Sequence, residues 1–244
     1  MFFVNVTIAR LIHDEIAMMK EHQPRSYLIL SALLFFFFVT WSSSGSLLSI
    51  WLHQEVGLKP GDTGIIYAVL SVSALFAQIC YGFIQDRLGL RKNLLWYITV
   101  LLILSGPAFL LFGYLLKQNI LLGSIFGGIY IGLTFNGGIG VLESYTERVA
   151  RQTHFEFGKA RMWGSLGWAV ATFFAGLLFN INPKLNFAVA TCSGLVFFLL
   201  MVRLRIATDE PGKVAEESGG KVKLEDALRL LVLPRFWTLV FFVV

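Results

Sequence analysis

Glu143 stands directly after twenty-five residues without a charge (118–142), and Arg161 stands directly before twenty-two more (162–183). On helical spacing Asn136, Gly140 and Glu143 fall at i, i+4 and i+7 and share one face, and Arg161, Ser165 and Trp168 repeat that spacing after a short polar break. The two stripes carry opposite charges. A carboxylate and a guanidinium so placed have two readings. They pair and line a polar site within an apolar layer, or each reaches to the water boundary and anchors a helix end. Spacing alone leaves both open. Covalent chemistry fits less well, because the sequence holds no H-E-x-x-H, no G-x-S-x-G and no intramembrane aspartate pair.

The elements that must position these residues are membrane helices. Of the 244 residues 56% are hydrophobic and 14% charged, a balance outside that of soluble domains. Charge-free runs cover 26–54, 63–85, 93–116, 118–142, 162–183 and 185–202. Each is near or above the ~20 residues a helix needs to cross a hydrocarbon core of about 30 Å. Six membrane helices are predicted, so the expected fold class is an all-α integral membrane protein. A seventh run, FWTLVFFVV, follows Arg235 and holds nine residues up to Val244, read here as the truncated start of another span.

The net charge of +5 is distributed unevenly. Seventeen Lys and Arg residues lie before the first run, between the second and third, between the fourth and fifth, or after the sixth. Only Lys59, Lys117 and Lys184 lie on the other side. The positive-inside rule then places both ends of the six-helix block in the cytoplasm, and the basic excess reports topology rather than a nucleic-acid partner. The expected organisation is a cytoplasmic N-terminal segment (1–25), a six-helix bundle (26–204), a cytoplasmic linker (205–234) and the start of a seventh helix (235–244). Within the first segment Met18 or Met19 is the expected natural start. Six helices, a long polar linker and a further span match half of a two-bundle transporter.

Gly123, Gly127, Gly128, Gly132 and Gly140 of the fourth run read as close helix packing. Cys80 and Cys192 read as small core residues with free thiols, since neither has metal-ligand or redox spacing. His13, His22, His53 and His154 take solvated positions outside the spans, and no metal site is expected. Glu147, Arg148 and Arg151 read as a solvated face.

The segment GFIQDRLGLRK, residues 82–92, carries Gly82, Asp86, Arg87, Gly89, Arg91 and Lys92 between the second and third runs. It resembles the signature loop of the major facilitator superfamily, G-x-x-x-D-[R/K]-x-G-x-[R/K]-[R/K], at every position. The stretches IWLHQEVGL, DTGIIYAVLS, GGIYIGL and FEFGKARMWGSLGWA further resemble the oligosaccharide-proton symporters of that superfamily, the lactose, raffinose and sucrose permeases among them. LSGP and NPKLNF are nearer to the sucrose branch, whereas Glu143 and Trp168 match the lactose branch.

That resemblance implies an N-terminal six-helix half of a sugar-proton symporter of the bacterial inner membrane, working by alternating access and catalysing no covalent reaction. It implies a sugar site at Glu143, Arg161 and Trp168, with Asn136 and Ser165 lining the same cavity and Trp41 and Ser44 as weaker candidates. It implies gating at the signature loop, and the proton as coupling ion with no cofactor. The expected partners are an oligosaccharide, membrane lipid and a C-terminal half that carries most of the proton-coupling residues. A carboxylate and a guanidinium suit a polyol because they accept and donate several directed hydrogen bonds. The alternative expectation is a non-transporting remnant or regulatory membrane protein derived from a transporter half.

Overall fold

The computed structural model describes residues 25–88 and 93–204, the side chains of 85–88 excepted. The N-terminal segment, the linker and the seventh-helix start lie outside the described residues.

Among the described residues the chain is all helical. The first span joins α1 (Arg25–Gly45) to α2 (Leu48–Trp51) and a π-helical turn, Leu52–Val56. The second is α3 (Pro60–Leu88). Next come α4 (Asn93–Ile103) and α5 (Ser105–Gln118), then α6 (Ile120–Ile131), a π segment (Gly132–Gly137) and α7 (Gly138–Thr153). The last two are α8 (Phe157–Ile181) and α9 (Lys184–Arg203). Five of these stretches are long and apolar enough to cross a membrane, and α4 with α5 makes a sixth only as a pair bent by 59°.

That bend corrects the expectation of one unbroken helix over 93–116. Pro107 has no N–H for the carbonyl of Ile103, which removes an internal hydrogen bond and crowds the preceding turn. The Gly106 N–H next to it donates to Thr191 Oγ1 on α9 at 3.0 Å. A neighbouring helix thus takes over part of the broken ladder, the usual remedy where no water is at hand.

A second correction concerns the charged pair. Helix α7 continues through Glu143 to Thr153, and α8 begins at Phe157 before reaching Arg161. Charge-free runs understate helix length here: Glu143 has ten further helical residues after it, and Arg161 is the fifth residue of its helix. A third concerns residues 82–92: Gly82, Asp86 and Arg87 lie in the last turns of α3 rather than in a turn between helices, while Gly89, Arg91 and Lys92 lie outside the described residues. Cys80 and Cys192 are exposed free thiols on helix surfaces, not core residues.

Helix α1 is apolar around most of its circumference, and Leu30, Leu33, Leu34 and Phe37 are fully buried. Its neighbour α8 buries Ala160, Gly164, Gly167, Ala171 and Ala175, a strip of small residues that lets the two backbones approach. Hydroxyls join α1 to α9, with Ser193 Oγ donating to the Phe36 carbonyl at 2.8 Å. The expected close packing of the fourth span holds at Gly123, Gly127, Gly128 and Gly132, where an added Cβ would press on Leu116, Phe112 and Ser73. Gly140 corrects that expectation: it is exposed, with open space beside it, and packs against no helix among the described residues.

Candidate functional site: a charged pair over an aromatic cluster

The π segment Gly132–Gly137 carries Asn136, and the helix that follows carries Glu143. A π turn leaves a carbonyl out of register, and Asn136 Nδ2 reaches back to the Ile131 carbonyl at 3.5 Å. Such turns recur at functional positions. From there Asn136, Gly140 and Glu143 keep to one partly open stripe.

Across from it, α8 brings Arg161, whose Nε donates to Glu143 Oε1. The side chains remain 33% and 31% exposed. Each ion therefore relieves the other while part of both stays in reach of a ligand. Arg161 Nη1 also lies 3.5 Å from Ser165 Oγ, at the outer limit of a hydrogen bond. No other hydrogen bond from either side chain occurs among the described residues, so donor and acceptor capacity remains on both groups.

Arg161 Cζ sits 4.5 Å from the ring centroid of Phe38 on α1. A guanidinium over an aromatic face gains about 0.5–2 kcal/mol, more as water is excluded. Phe38 packs edge-on to Trp168 at 6.2 Å, and Trp41 packs edge-on to Trp168 at 5.4 Å. Trp41 itself lies between Phe38 at 5.8 Å and Phe135 at 5.7 Å, nearly parallel to both.

The turn that carries Trp168 is pinned to α1. Ser42 Oγ is 2.7 Å from Thr172 Oγ1, and Thr172 donates to the Trp168 carbonyl at 2.9 Å. Ser42 is fully buried, so this small polar knot is shielded from competing water.

The structure thus brings Glu143, Arg161, Ser165 and Trp168 together on two facing helices. Asn136 opens instead onto a cavity of about 260 Å³ that it shares with Trp41, Gly45, Tyr67 and Ser71. Glu143, Arg161, Ser165 and Trp168 do not line that cavity. Sequence reasoning missed Phe38, Ser42, Thr172 and Tyr67. Phe38 was hidden within the run of four phenylalanines, and a hydroxyl in a span is visible only once its partner helix is known. Ser44, a weaker candidate, is buried and donates to the Thr40 carbonyl at 2.9 Å within its own helix. The solvated face at the end of α7 is present, with Arg151 bonded to Glu147.

Comparison with known proteins identifies the family. A family model described as LacY proton/sugar symporter matches residues 19–244. The sucrose permease of Escherichia coli is 39% identical over 220 residues, 89% of this chain and 52% of that protein. The lactose permease of Citrobacter freundii is 41% identical over 199 residues, 80% of this chain and 48% of the relative. The melibiose permease of Enterobacter cloacae is 37% identical over 223 residues, 90% and 52% respectively. The chain spans about half the length of these curated relatives, all of them permeases rather than enzymes. Apolar spans, a partly open ion pair between two of them and a match along most of the chain converge: this multi-pass membrane protein belongs to the LacY proton/sugar symporter family.

Proposed function

We propose that the chain is the sugar-binding N-terminal half of a proton-coupled oligosaccharide carrier that takes up di- or trisaccharides by alternating access. The observation that supports it most is the Glu143–Arg161 pair, held over Phe38 beside Trp168 and still about one-third exposed. A polyol needs several directed donors and acceptors, and this pair offers a planar fork and a carboxylate. Trp168 supplies an apolar face for the C–H side of a ring, Ser165 a hydroxyl, and Asn136 an amide. The proton is the coupling ion, no cofactor takes part, and the partners are sugar, lipid and a C-terminal half. On this reading 1–25 is a cytoplasmic segment, 26–204 the bundle, 205–234 a linker and 235–244 the entry to a seventh span, with the signature residues Gly82 to Lys92 at the gate.

Uptake tests the proposal. Residues 1–244 alone should give no uphill accumulation of labelled sucrose, lactose or melibiose, while co-expression with a C-terminal half from one of the relatives should restore part of it. Uphill accumulation by the chain alone would overturn the division of labour. No restoration with any C-terminal half would favour a non-transporting remnant. The orientation in the bacterial inner membrane is checked separately. Single cysteines replacing Lys59 and Lys213 in a cysteine-free background should be, respectively, labelled and spared by an impermeant thiol reagent on intact cells. The reverse pattern would refute a cytoplasmic N-terminus.

A further inference from the structure

The cavity beside Asn136 is separate from the charged pair, yet the two share a wall. Trp41 lines the cavity and packs edge-on to Trp168 at 5.4 Å. The polar groups around the cavity are of one kind. Tyr67 OH lies 2.8 Å from Ser49 Oγ, and Ser71 Oγ donates to the Tyr67 carbonyl at 2.9 Å. Asn136 spends one amide hydrogen on a long bond of 3.5 Å. The indole N–H of Trp41 has no hydrogen-bond partner among the described residues. No Asp, Glu, Lys, Arg or His lines the cavity, and the remaining lining is apolar, from Leu48 and Leu70 to Phe109 and Phe135.

This mixture selects a ligand. A charged group would find no counter-ion there and would carry an uncompensated desolvation cost. A purely apolar group would leave the indole N–H and the spare capacity of the amide without partners, and would offer nothing to the phenol beyond its bond to Ser49. A ring bearing hydroxyls around its rim and C–H bonds on its faces satisfies both kinds of wall. The volume of about 260 Å³ lies just below the roughly 300–1,000 Å³ of pockets that enclose a drug-sized molecule, which suits a single ring, and the open side leaves room for the rest of an oligosaccharide to extend outward.

From this we infer that the cavity formed by Trp41, Tyr67, Ser71 and Asn136 is a second sugar subsite, holding the second, uncharged ring of a di- or trisaccharide whose first ring lies at Glu143, Arg161 and Trp168. The inference rests on the sugar-binding reading proposed above. It adds Tyr67 and Ser71 to the binding surface and assigns Asn136 to the second ring rather than the first. It makes the enzyme-free discrimination between one-ring and two-ring sugars a property of α1, α3 and the π segment.

The experiment measures direct binding to the chain co-expressed with a matching C-terminal half. Sucrose, lactose and melibiose are each compared with methyl glucoside and methyl galactoside. In Tyr67→Phe, which removes one hydroxyl, and in Asn136→Leu, which replaces the amide at similar volume, the ratio of disaccharide to methyl-glycoside affinity should fall about three- to tenfold, the effect of one hydrogen bond lost. Two variants on different helices guard against a folding defect in either. An unchanged ratio in both, with disaccharide still bound and Arg161→Ala still defective, would overturn the subsite while leaving the first site standing. No binding of any of these sugars to the unaltered complex would overturn the sugar reading and the subsite with it.

Discussion

Replacing Arg161 by alanine should lower sugar affinity at least a hundredfold while leaving membrane expression nearly unchanged. The guanidinium is the sole cation within reach of Glu143 among the described residues, and its removal takes away charge-assisted donors worth about 1.5–3 kcal/mol each. The loss has a second part: Glu143 would remain, unpaired, within a membrane-spanning helix. Glu143→Ala should fail for the mirrored reason. Arg161→Lys should fail as well, because an ammonium has no planar fork to lie over Phe38 and meet two hydroxyls at once. Glu143→Asp should keep partial binding, since the carboxylate survives at shorter reach. Sugar protection of a nearby engineered cysteine, or direct binding in the complex with a C-terminal half, reads all four. Wild-type affinity in Arg161→Ala would show that the pair only anchors two helices.

The structure bears on that anchor reading in a specific way. Spacing left the question open because charge-free runs seemed to put Glu143 and Arg161 at span boundaries. Polar residues such as Ser144 and Thr146 continue the helix as readily as apolar ones, so α7 runs on to Thr153 and both charges fall inside helices. Both charges nevertheless lie close to the exposed pairs Glu147–Arg151 and Glu156–Lys159, and there each has the other as its partner.

What the sequence made legible was whatever repeats along one helix. Six apolar runs gave the spans, and the i, i+4, i+7 stripes gave Glu143 and Arg161 on their faces. What it could not show depends on a second helix. The bend after Ile103 was signalled by Pro107 and Gly106, yet apolarity runs through it without a break. The π segment is silent in composition, although it carries Asn136, which lines the Tyr67 cavity. The strip Ala160, Gly164, Gly167, Ala171 and Ala175 was written plainly at helical spacing, but its importance depends on how close α1 comes.

That closeness makes the last prediction. A Cβ built on Gly167 would fall well inside contact distance of the Phe35 carbonyl oxygen and 3.1 Å from its Cα, both backbone atoms of α1. Overpacking costs roughly 1–3 kcal/mol even where side chains can yield, and here a whole helix must move. The displacement would pull on the Ser42–Thr172 hydrogen bond and the seat of Arg161 over Phe38. Gly167→Val should therefore sharply reduce the yield of folded protein in the membrane and its melting temperature in detergent. On the same helix Gly176 has nothing within 4 Å of an added Cβ, so Gly176→Ala should be neutral or slightly stabilising through helix propensity. A normal melting temperature in Gly167→Val would mean that α1 and α8 are not in tight contact. In that case the aromatic cluster under Arg161 would lose the support that holds it in place.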